Sequence, residues 1–205
     1  MYSLPGLYAI ADAAFGDPVE LARLLFDGGA RLVQVRNKNA GAAELLRQVE
    51  SILGFAPADA RVIVNDRTDV ALLSGATGVH LGQTDLPVLR ARAILPPNSL
   101  IGVSTHNLEQ ALRYETEPVD YIAAGPVFQT STKANPEPVI GLHGLREICA
   151  GVTKPVVAIG GITRQNAGAV FACGATSAAV ISDLLKYKDV ARQTAAWLQY
   201  NSNIN

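Results

Sequence analysis

The stretch VVAIGGITRQNAGAVFACGATSAAVI, residues 156–181, shows most clearly the pattern from which the fold is predicted. Its first four residues are all apolar, which is typical of a strand covered on both faces in a parallel sheet. Two glycines follow, then a helical segment that ends at Gly174-Ala175, and then a second apolar run, Ala178–Ile181. The stretch therefore predicts one strand–helix–strand unit.

The same unit recurs along the whole chain. The eight candidate strands are Leu7–Ala11, Leu32–Arg36, Arg61–Asn65, Gly78–Leu81, Leu100–Ser104, Tyr121–Ala124, Val156–Ile159 and Ala178–Ile181. Between them, Pro18 after Asp17 and the capping residue Asn107 indicate helix starts. Eight such units in 205 residues predict an α/β fold, a single (β/α)8 TIM barrel. A doubly wound open sheet is the alternative, but no Gly-x-Gly-x-x-Gly follows the first strand.

The composition limits the classes of function. The chain is 49% hydrophobic and 17% charged, with a formal net charge of −1, which excludes intrinsic disorder and disfavours nucleic-acid or acidic-membrane partners. We expect one domain over residues 1–205, with residues 201–205 a frayed polar tail.

The location is expected to be cytoplasmic. No apolar run approaches the roughly 18 residues of a membrane span, and no positive residue precedes the short apolar stretch at the N-terminus. Cys149 and Cys173 form no disulfide framework or zinc quartet, which suits a reducing compartment. We interpret both as buried, small apolar side chains.

Polar residues follow the second predicted strand. The chain there is Gln34-Val35-Arg36-Asn37-Lys38, and the alternation of a strand sends Gln34, Arg36 and Lys38 to one side. Two cations converging inside a barrel mouth are costly without an anion, so a bound phosphate or diphosphate would balance them. The alternative is a solvated strand end whose cations pair with neighbouring carboxylates.

Two aspartates follow the next strands. Asp66 comes after strand three and Asp85 shortly after strand four, so both are expected at the same rim. Mg²⁺ takes one or two carboxylates together with water and substrate phosphate oxygens, which this pair fits. Helix capping is the alternative for either aspartate. We interpret His80 as a packed or hydrogen-bonded histidine rather than a metal ligand.

The remaining strand ends carry hydroxyls and glycines. Ser104 ends strand five, and a long loop after strand six contains Thr130-Ser131-Thr132-Lys133. Gly160-Gly161 follows strand seven and Ser182 follows strand eight, as in the phosphate site frequent in such barrels. The alternatives are a helix cap for Ser104, a simple turn for Gly160-Gly161 and a flexible loop for the segment after strand six. A hydrolase triad is disfavoured, because no carboxylate is placed to orient His106.

In this order, the motifs resemble the thiamine-phosphate synthase family from about Leu7 to Leu185. They are Gln34-x-Arg36-x-Lys38, Asn65-Asp66-Arg67, His80-Leu81-Gly82-Gln83-Thr84-Asp85, Gly102-Val103-Ser104, Gly125-Pro126-Val127-Phe128, Thr130-x-Thr132-Lys133, Ile159-Gly160-Gly161-Ile162 and Val180-Ile181-Ser182. The resemblance implies a (β/α)8 transferase that couples an aminopyrimidine diphosphate to a thiazole phosphate. Thiamine phosphate forms and diphosphate leaves.

The resemblance also implies roles for residues. The pyrimidine diphosphate would be held by Gln34, Arg36, Lys38, Asn65, Ser104 and Lys133, of which Arg36, Lys38, Ser104 and Lys133 would act in catalysis. Asp66 and Asp85 would bind one Mg²⁺ per subunit. The thiazole phosphate would contact Thr130, Ser131, Thr132, Gly161, Ile181 and Ser182. Tyr8, taken as the end of the first strand, would contact the pyrimidine ring.

The chain departs from the family at two positions and leaves two other functions open. Gln129 stands where many relatives have proline, and Ala11 where threonine is common; we expect both to change loop stiffness only. A thiazole tautomerase of the same fold, which tends to lose the metal aspartates, is one alternative. A non-catalytic phosphate-ligand sensor is the other. The apolar composition favours a homodimer.

Overall fold

Eight parallel strands form a closed barrel in sequential order, in a computed structural model that describes residues 4–130 and 137–202. The strands are β1 (Leu7–Asp12), β2 (Leu32–Arg36), β3 (Arg61–Asn65), β4 (Gly78–Leu81), β5 (Leu100–Thr105), β6 (Tyr121–Ala124), β7 (Val156–Ile159) and β8 (Ser177–Val180). The pairing of β1 with β8 closes the sheet. The predicted (β/α)8 barrel is therefore confirmed.

A helix follows each strand, and one more ends the described part of the chain. The helices are α1 (Pro18–Asp27), α2 (Ala42–Leu53), α3 (Thr68–Ser74), α4 (Val88–Ile94), α5 (Leu108–Glu115), α6 (Gly141–Gly151), α7 (Ala167–Phe171), α8 (Ser182–Leu185) and α9 (Val190–Ser202). Because α9 continues through Ser202, it includes the first two residues of the expected tail, and residues 203–205 lie outside the described ranges. None of the described helices has the length and apolar character needed to cross a membrane.

The predicted helix starts are those of the structure. Asp17 accepts a hydrogen bond from the backbone N of Val19 at 3.0 Å, and Asn107 accepts one from Gln110 N at 2.9 Å. Each cap satisfies a backbone donor that the first turn leaves without a partner. These caps fix where the chain turns from a strand end into the following helix.

Three strand boundaries differ from those predicted. β1 extends to Asp12 and β5 to Thr105, because tertiary partners satisfy these buried polar side chains. Asp12 lies opposite Arg36 in the sheet, and Thr105 Oγ1 donates to the carbonyl of Ala123 at 3.0 Å. β8 is shifted by one residue, to Ser177–Val180.

The inside of the barrel is filled at one end and open at the other. Leu32, Leu100 and Tyr121 are the first residues of their strands, and their large side chains are buried in the interior cluster. Nearer the carboxyl ends, the interior side chains include the small residues Ala123 and Ala179. Space for a ligand therefore lies at the carboxyl ends of the strands, as in other barrels of this kind.

Both cysteines are free thiols packed among apolar residues. Burial raises the pKa of Cys149 to about 11, and neighbouring Cys173 adds to this. Neither the packing nor that pKa suits a reactive thiolate at Cys149.

Candidate active site

A cavity of about 310 Å³ opens at the carboxyl ends of the strands, and residues of all eight strands line it. This volume is at the lower end of small-molecule sites. The cavity brings together the predicted site residues Gln34, Arg36, Lys38, Asn65, Asp66, Asp85, Ser104, Thr130, Gly161, Ile181 and Ser182. Ser131, Thr132 and Lys133 lie outside the described residues.

The two cations at the carboxyl end of β2, Arg36 in the strand and Lys38 two residues beyond it, both have carboxylate partners. Arg36 Nη1 donates to Asp12 Oδ2 at 2.6 Å, with the Arg36 side chain 15% exposed and that of Asp12 2%. Lys38 Nζ lies 3.3 Å from Asp66 Oδ2. The carboxylate pairing that the sequence left open as the alternative is therefore present in the structure, and the bound anion stays a prediction. Arg36 is held rigidly at the rim, whereas Lys38 is half-exposed and has room to move toward a ligand.

Asp66 adopts a backbone conformation that is uncommon for a residue with a side chain. Its φ is +63°, the one positive φ among the described residues other than glycine. Its backbone N nevertheless donates to the carbonyl of His80 at 2.8 Å, which prolongs the β3–β4 pairing. Such conformations carry strain and are concentrated at functional sites. Here it places the Asp66 carboxylate beside the ammonium group of Lys38 and the carboxyl group of Asp85.

The second carboxylate, Asp85, is fixed by its own loop. Asp85 Oδ2 accepts a hydrogen bond from Gly82 N at 2.6 Å. Burial raises the pKa of Asp85; the Gly82 bond and the Lys38 charge lower it, and the carboxyl of Asp66 raises it further. The two carboxyls are therefore close enough to repel each other when both are ionised.

This pair fits a hard cation with few protein ligands. Among the described residues, no group of three or more His, Cys, Asp or Glu side chains is placed to hold a metal ion. Mg²⁺ does not require one, because water and substrate phosphate oxygens complete its coordination. A divalent cation near Asp66 and Asp85 would also remove the repulsion between them.

A continuous chain of hydrogen bonds crosses the barrel beneath the cavity. Gln34 Nε2 donates to the hydroxyl of Tyr8 at 2.9 Å, and Tyr8 is 2.9 Å from the hydroxyl of Tyr121. Tyr121 is 3.1 Å from His80 Nδ1, and His80 Nε2 is 3.0 Å from Ser104 Oγ. The interpretation of His80 as a hydrogen-bonded histidine is thus confirmed. We call these five residues the relay.

The turn after β7 admits only glycine. Gly160 and Gly161 have φ of +102° and +61°. A Cβ at Gly160 would lie 2.5 Å from that of Pro126, and one at Gly161 would lie 2.8 Å from the Cβ of Phe128. The close approach lets Phe128 N donate to the carbonyl of Gly160 at 3.0 Å, which ties the β6 loop to this turn.

Ser182 is positioned by its neighbour Asp183. Asp183 Oδ2 accepts hydrogen bonds from Arg164 N at 2.9 Å and from Trp197 Nε1 at 3.1 Å. These bonds join the start of α8 to the loop after β7 and to the buried indole of α9. Ser182 and Gly161 therefore face the same cavity on a well-supported wall.

Two further histidines lie outside any triad. His106 Nδ1 donates to the carbonyl of Gly125 at 2.6 Å, so the partner described for this ring nitrogen is a backbone oxygen rather than a carboxylate. His143 is on the surface of α6, where it lies 3.3 Å from Glu147. Neither arrangement supports nucleophilic hydrolysis.

Sequence reasoning missed two residues that hold side chains of the site in place, Asp12 and Tyr121, and misplaced Tyr8. Asp12 directly follows the first apolar run, and a polar residue at that strand end was a usable signal, whereas its position opposite Arg36 was not. Tyr121 is the first residue of β6, and nothing in the sequence marks it as part of a network. Tyr8 lies near the beginning of β1, not at its end, and lines the cavity from below.

Known proteins resemble this chain over nearly its whole length. The family model described as thiamine monophosphate synthase matches residues 7–184. A thiamine-phosphate synthase of Koribacter versatilis (strain Ellin345) is 46% identical over 189 residues, which are 89% of this chain and 90% of the relative. A thiamine-phosphate synthase of Anaeromyxobacter dehalogenans (strain 2CP-C) is 46% identical over 198 residues, which are 95% and 88% of the two chains.

A solved structure gives the same result in three dimensions. The thiamine phosphate pyrophosphorylase from Pyrococcus furiosus superimposes with a TM-score of 0.88 at 40% sequence identity. The superposition covers 97% of this chain and 96% of the Pyrococcus chain.

Proposed function

Because the chain belongs to the thiamine monophosphate synthase family, we propose that its cavity joins an aminopyrimidine methyl diphosphate to a thiazole phosphate. The enzyme is a transferase: the bond between the exocyclic methylene of the pyrimidine and diphosphate breaks, the same methylene forms a bond to the thiazole nitrogen, and diphosphate is released. The observation that carries this assignment is the meeting, in one cavity, of a carboxylate pair, two cations and a glycine-lined wall.

The diphosphate is assigned to the side of the cavity formed by β2 to β5. Arg36, Lys38 and Ser104 supply donors there, and Asn65 and Gln34 line the same side. When bound at Asp66 and Asp85, Mg²⁺ supplies charge neutralisation to the leaving diphosphate. Lys133, from the loop outside the described residues, is assigned to the same phosphates on the family resemblance.

The reaction needs no protein nucleophile. An electron-rich aminopyrimidine stabilises positive charge at its methylene, so the bond to diphosphate breaks before the thiazole nitrogen attacks. The protein's task is to hold two substrates in line and to stabilise the developing negative charge on the leaving group. Arg36 suits this task, because its ion pair with Asp12 fixes it before substrate arrives.

The thiazole phosphate is assigned to the opposite wall. Gly161, Ile181, Ser182 and Thr130 line that side, and Ser131 and Thr132 are assigned there by the resemblance alone. Backbone N–H groups at a glycine turn are ordinary phosphate ligands in barrels of this type.

Turnover should require both substrates and a divalent cation. Purified protein given the pyrimidine diphosphate, the thiazole phosphate and Mg²⁺ is expected to yield thiamine phosphate, detected after oxidation to fluorescent thiochrome. EDTA should abolish the product, and excess Mg²⁺ should restore it. Folded protein that gives no product would contradict the assignment. An assay with the carboxythiazole tautomer would then test the tautomerase, and binding without turnover would indicate a sensor.

Ser182→Asp should weaken thiazole phosphate binding selectively. A carboxylate at this position repels the phosphate, and we expect the KM for the thiazole phosphate to rise about tenfold or more. Ser182→Ala, which adds no charge, should raise it only a few-fold. The KM for the pyrimidine diphosphate serves as the internal control. An unaltered thiazole KM in Ser182→Asp would remove this residue from the site.

We also propose a homodimer located in the cytoplasm. Large apolar side chains are exposed on α3 and at the start of α4, with Leu73 68% and Leu89 62% accessible, and a partner subunit would cover them. Light scattering should give twice the chain mass of 21.6 kDa. A species of the single-chain mass would contradict the dimer.

A further inference from the structure

The two ends of the relay, Gln34 and Ser104, both line the cavity. Its middle residue, Tyr121, is fully buried and does not line the cavity. The barrel makes room for it at Gly102, where a Cβ would collide with the Tyr121 ring. The ring stacks on His80 with centroids 5.6 Å apart and meets Tyr8 edge-on at 5.9 Å.

The directions of the hydrogen bonds in the relay can be assigned one after another, starting from the bond that Gln34 donates to Tyr8. Each phenol carries a single proton, and burial raises the pKa of both Tyr8 and Tyr121, so both stay protonated. Tyr8 accepts from Gln34 Nε2, which leaves its own proton for the hydroxyl of Tyr121, 2.9 Å away. Tyr121 in turn donates to Nδ1 of His80.

The same count of donors and acceptors assigns the ring proton of His80 and the hydroxyl proton of Ser104. With Nδ1 accepting, His80 carries its proton on Nε2 and donates it to Ser104 Oγ at 3.0 Å. Ser104 then has its hydroxyl proton left for the cavity. At the other end, Gln34 uses its amide nitrogen on Tyr8, and its carbonyl oxygen is left as the acceptor for a ligand.

We propose that the relay is a specificity device, in which Tyr121 and His80 act as positioning residues that make Gln34 present an acceptor and Ser104 a donor. This inference rests on the proposed function, since the ligand is the aminopyrimidine diphosphate. The carbonyl of Gln34 selects an exocyclic amino group over an oxo group, and the hydroxyl of Ser104 donates to a phosphate oxygen. Reversing the relay would exchange both preferences at once.

The direction of the hydrogen bonds in the relay can be measured without substrate. The chain has three histidines, so ¹⁵N NMR of the free protein resolves their rings, and a His80→Asn variant identifies the signals of His80. We expect a neutral His80 ring with the proton on Nε2. A proton on Nδ1, or a doubly protonated ring, would overturn the proposal whatever the enzyme's activity.

Selectivity is tested by binding, which needs no turnover. Calorimetry would compare the 4-amino and 4-oxo forms of 5-hydroxymethyl-2-methylpyrimidine monophosphate, with Mg²⁺ and without the thiazole. We expect the wild-type protein to prefer the amino form by about 30-fold, because the oxo group would face the Gln34 carbonyl without a donor. In Tyr121→Phe this preference should fall below about fivefold.

The matched control is Tyr114→Phe. Tyr114 is a buried tyrosine of α5 that does not line the cavity, and its hydroxyl lies 3.4 Å from Arg113. This variant should keep the full preference. If Tyr121→Phe weakened both ligands equally, Tyr121 would serve packing alone and the proposal would fail. A wild-type protein that bound neither ligand would count against the proposed function, and the NMR result would still decide the relay.

Discussion

Asp85→Ala is expected to lower Mg²⁺-dependent turnover at least about 1,000-fold, since the metal's stabilisation of the leaving group is worth several kcal/mol. The carboxylate of Asp85 lies beside that of Asp66 at the cavity rim, and its loss leaves one ligand for the cation. The measurement is the thiochrome assay at increasing Mg²⁺. Activity unchanged at every Mg²⁺ concentration would exclude Asp85 from the metal site.

One further variant separates the charge of Asp85 from its structural role, and a second serves as a surface control. Asp85→Asn keeps an oxygen that accepts the hydrogen bond from Gly82 N, so it should lose turnover without disturbing the loop. Asp59→Asn removes an exposed carboxylate that pairs with Arg31. It should leave turnover unchanged.

The stability of the metal-free protein gives a second readout of the same site. Because the pKa of Asp85 is raised, first by burial, the fold disfavours its ionised form. Its ionisation therefore lowers stability as the pH rises through the normal range of a carboxyl toward neutrality. Without metal, Asp85→Asn should melt no lower than wild type at pH 7, and Mg²⁺ should raise the Tm of the wild type more than that of the variant. A markedly lower metal-free Tm would contradict this.

Arg36→Ala is expected to damage both stability and catalysis. It leaves the carboxylate of Asp12, 2% exposed, without its 2.6 Å partner. Removing one member of a buried ion pair costs about 3 kcal/mol in the free energy of unfolding. Loss of a cation from the diphosphate side should also lower kcat/KM at least about 100-fold. Urea unfolding and the thiochrome assay measure the two effects.

A double variant that also removes the charge of Asp12 tests this prediction. In Asp12→Asn/Arg36→Ala no buried charge remains, so part of the lost stability should return while turnover stays low. Arg31→Ala is the matched control, because its ion pair with Asp59 is exposed and should be worth less than about 1 kcal/mol. Equal stability losses in Arg31→Ala and Arg36→Ala would contradict the account of Asp12.

Much of the site was predictable because the patterns that place its residues extend over only a few positions of the chain. The two-residue period of a strand places Gln34, Arg36 and Lys38 on one side, and parallel strands bring their carboxyl ends to one rim. The turn glycines and helix caps act over a few residues. These rules suffice to gather Asp66, Asp85 and the Gly160-Gly161 turn around one cavity.

The eight strand–helix units could be predicted from the sequence alone, and with them the barrel and the rim that carries the site. Which charges pair and which hydroxyls form hydrogen bonds became known only from the three-dimensional structure. Arg36 meets Asp12 through the register between β1 and β2, and Tyr8 meets Tyr121 across 113 positions of chain. Such contacts depend on strand register and barrel closure, which set distances between side chains that no local period encodes.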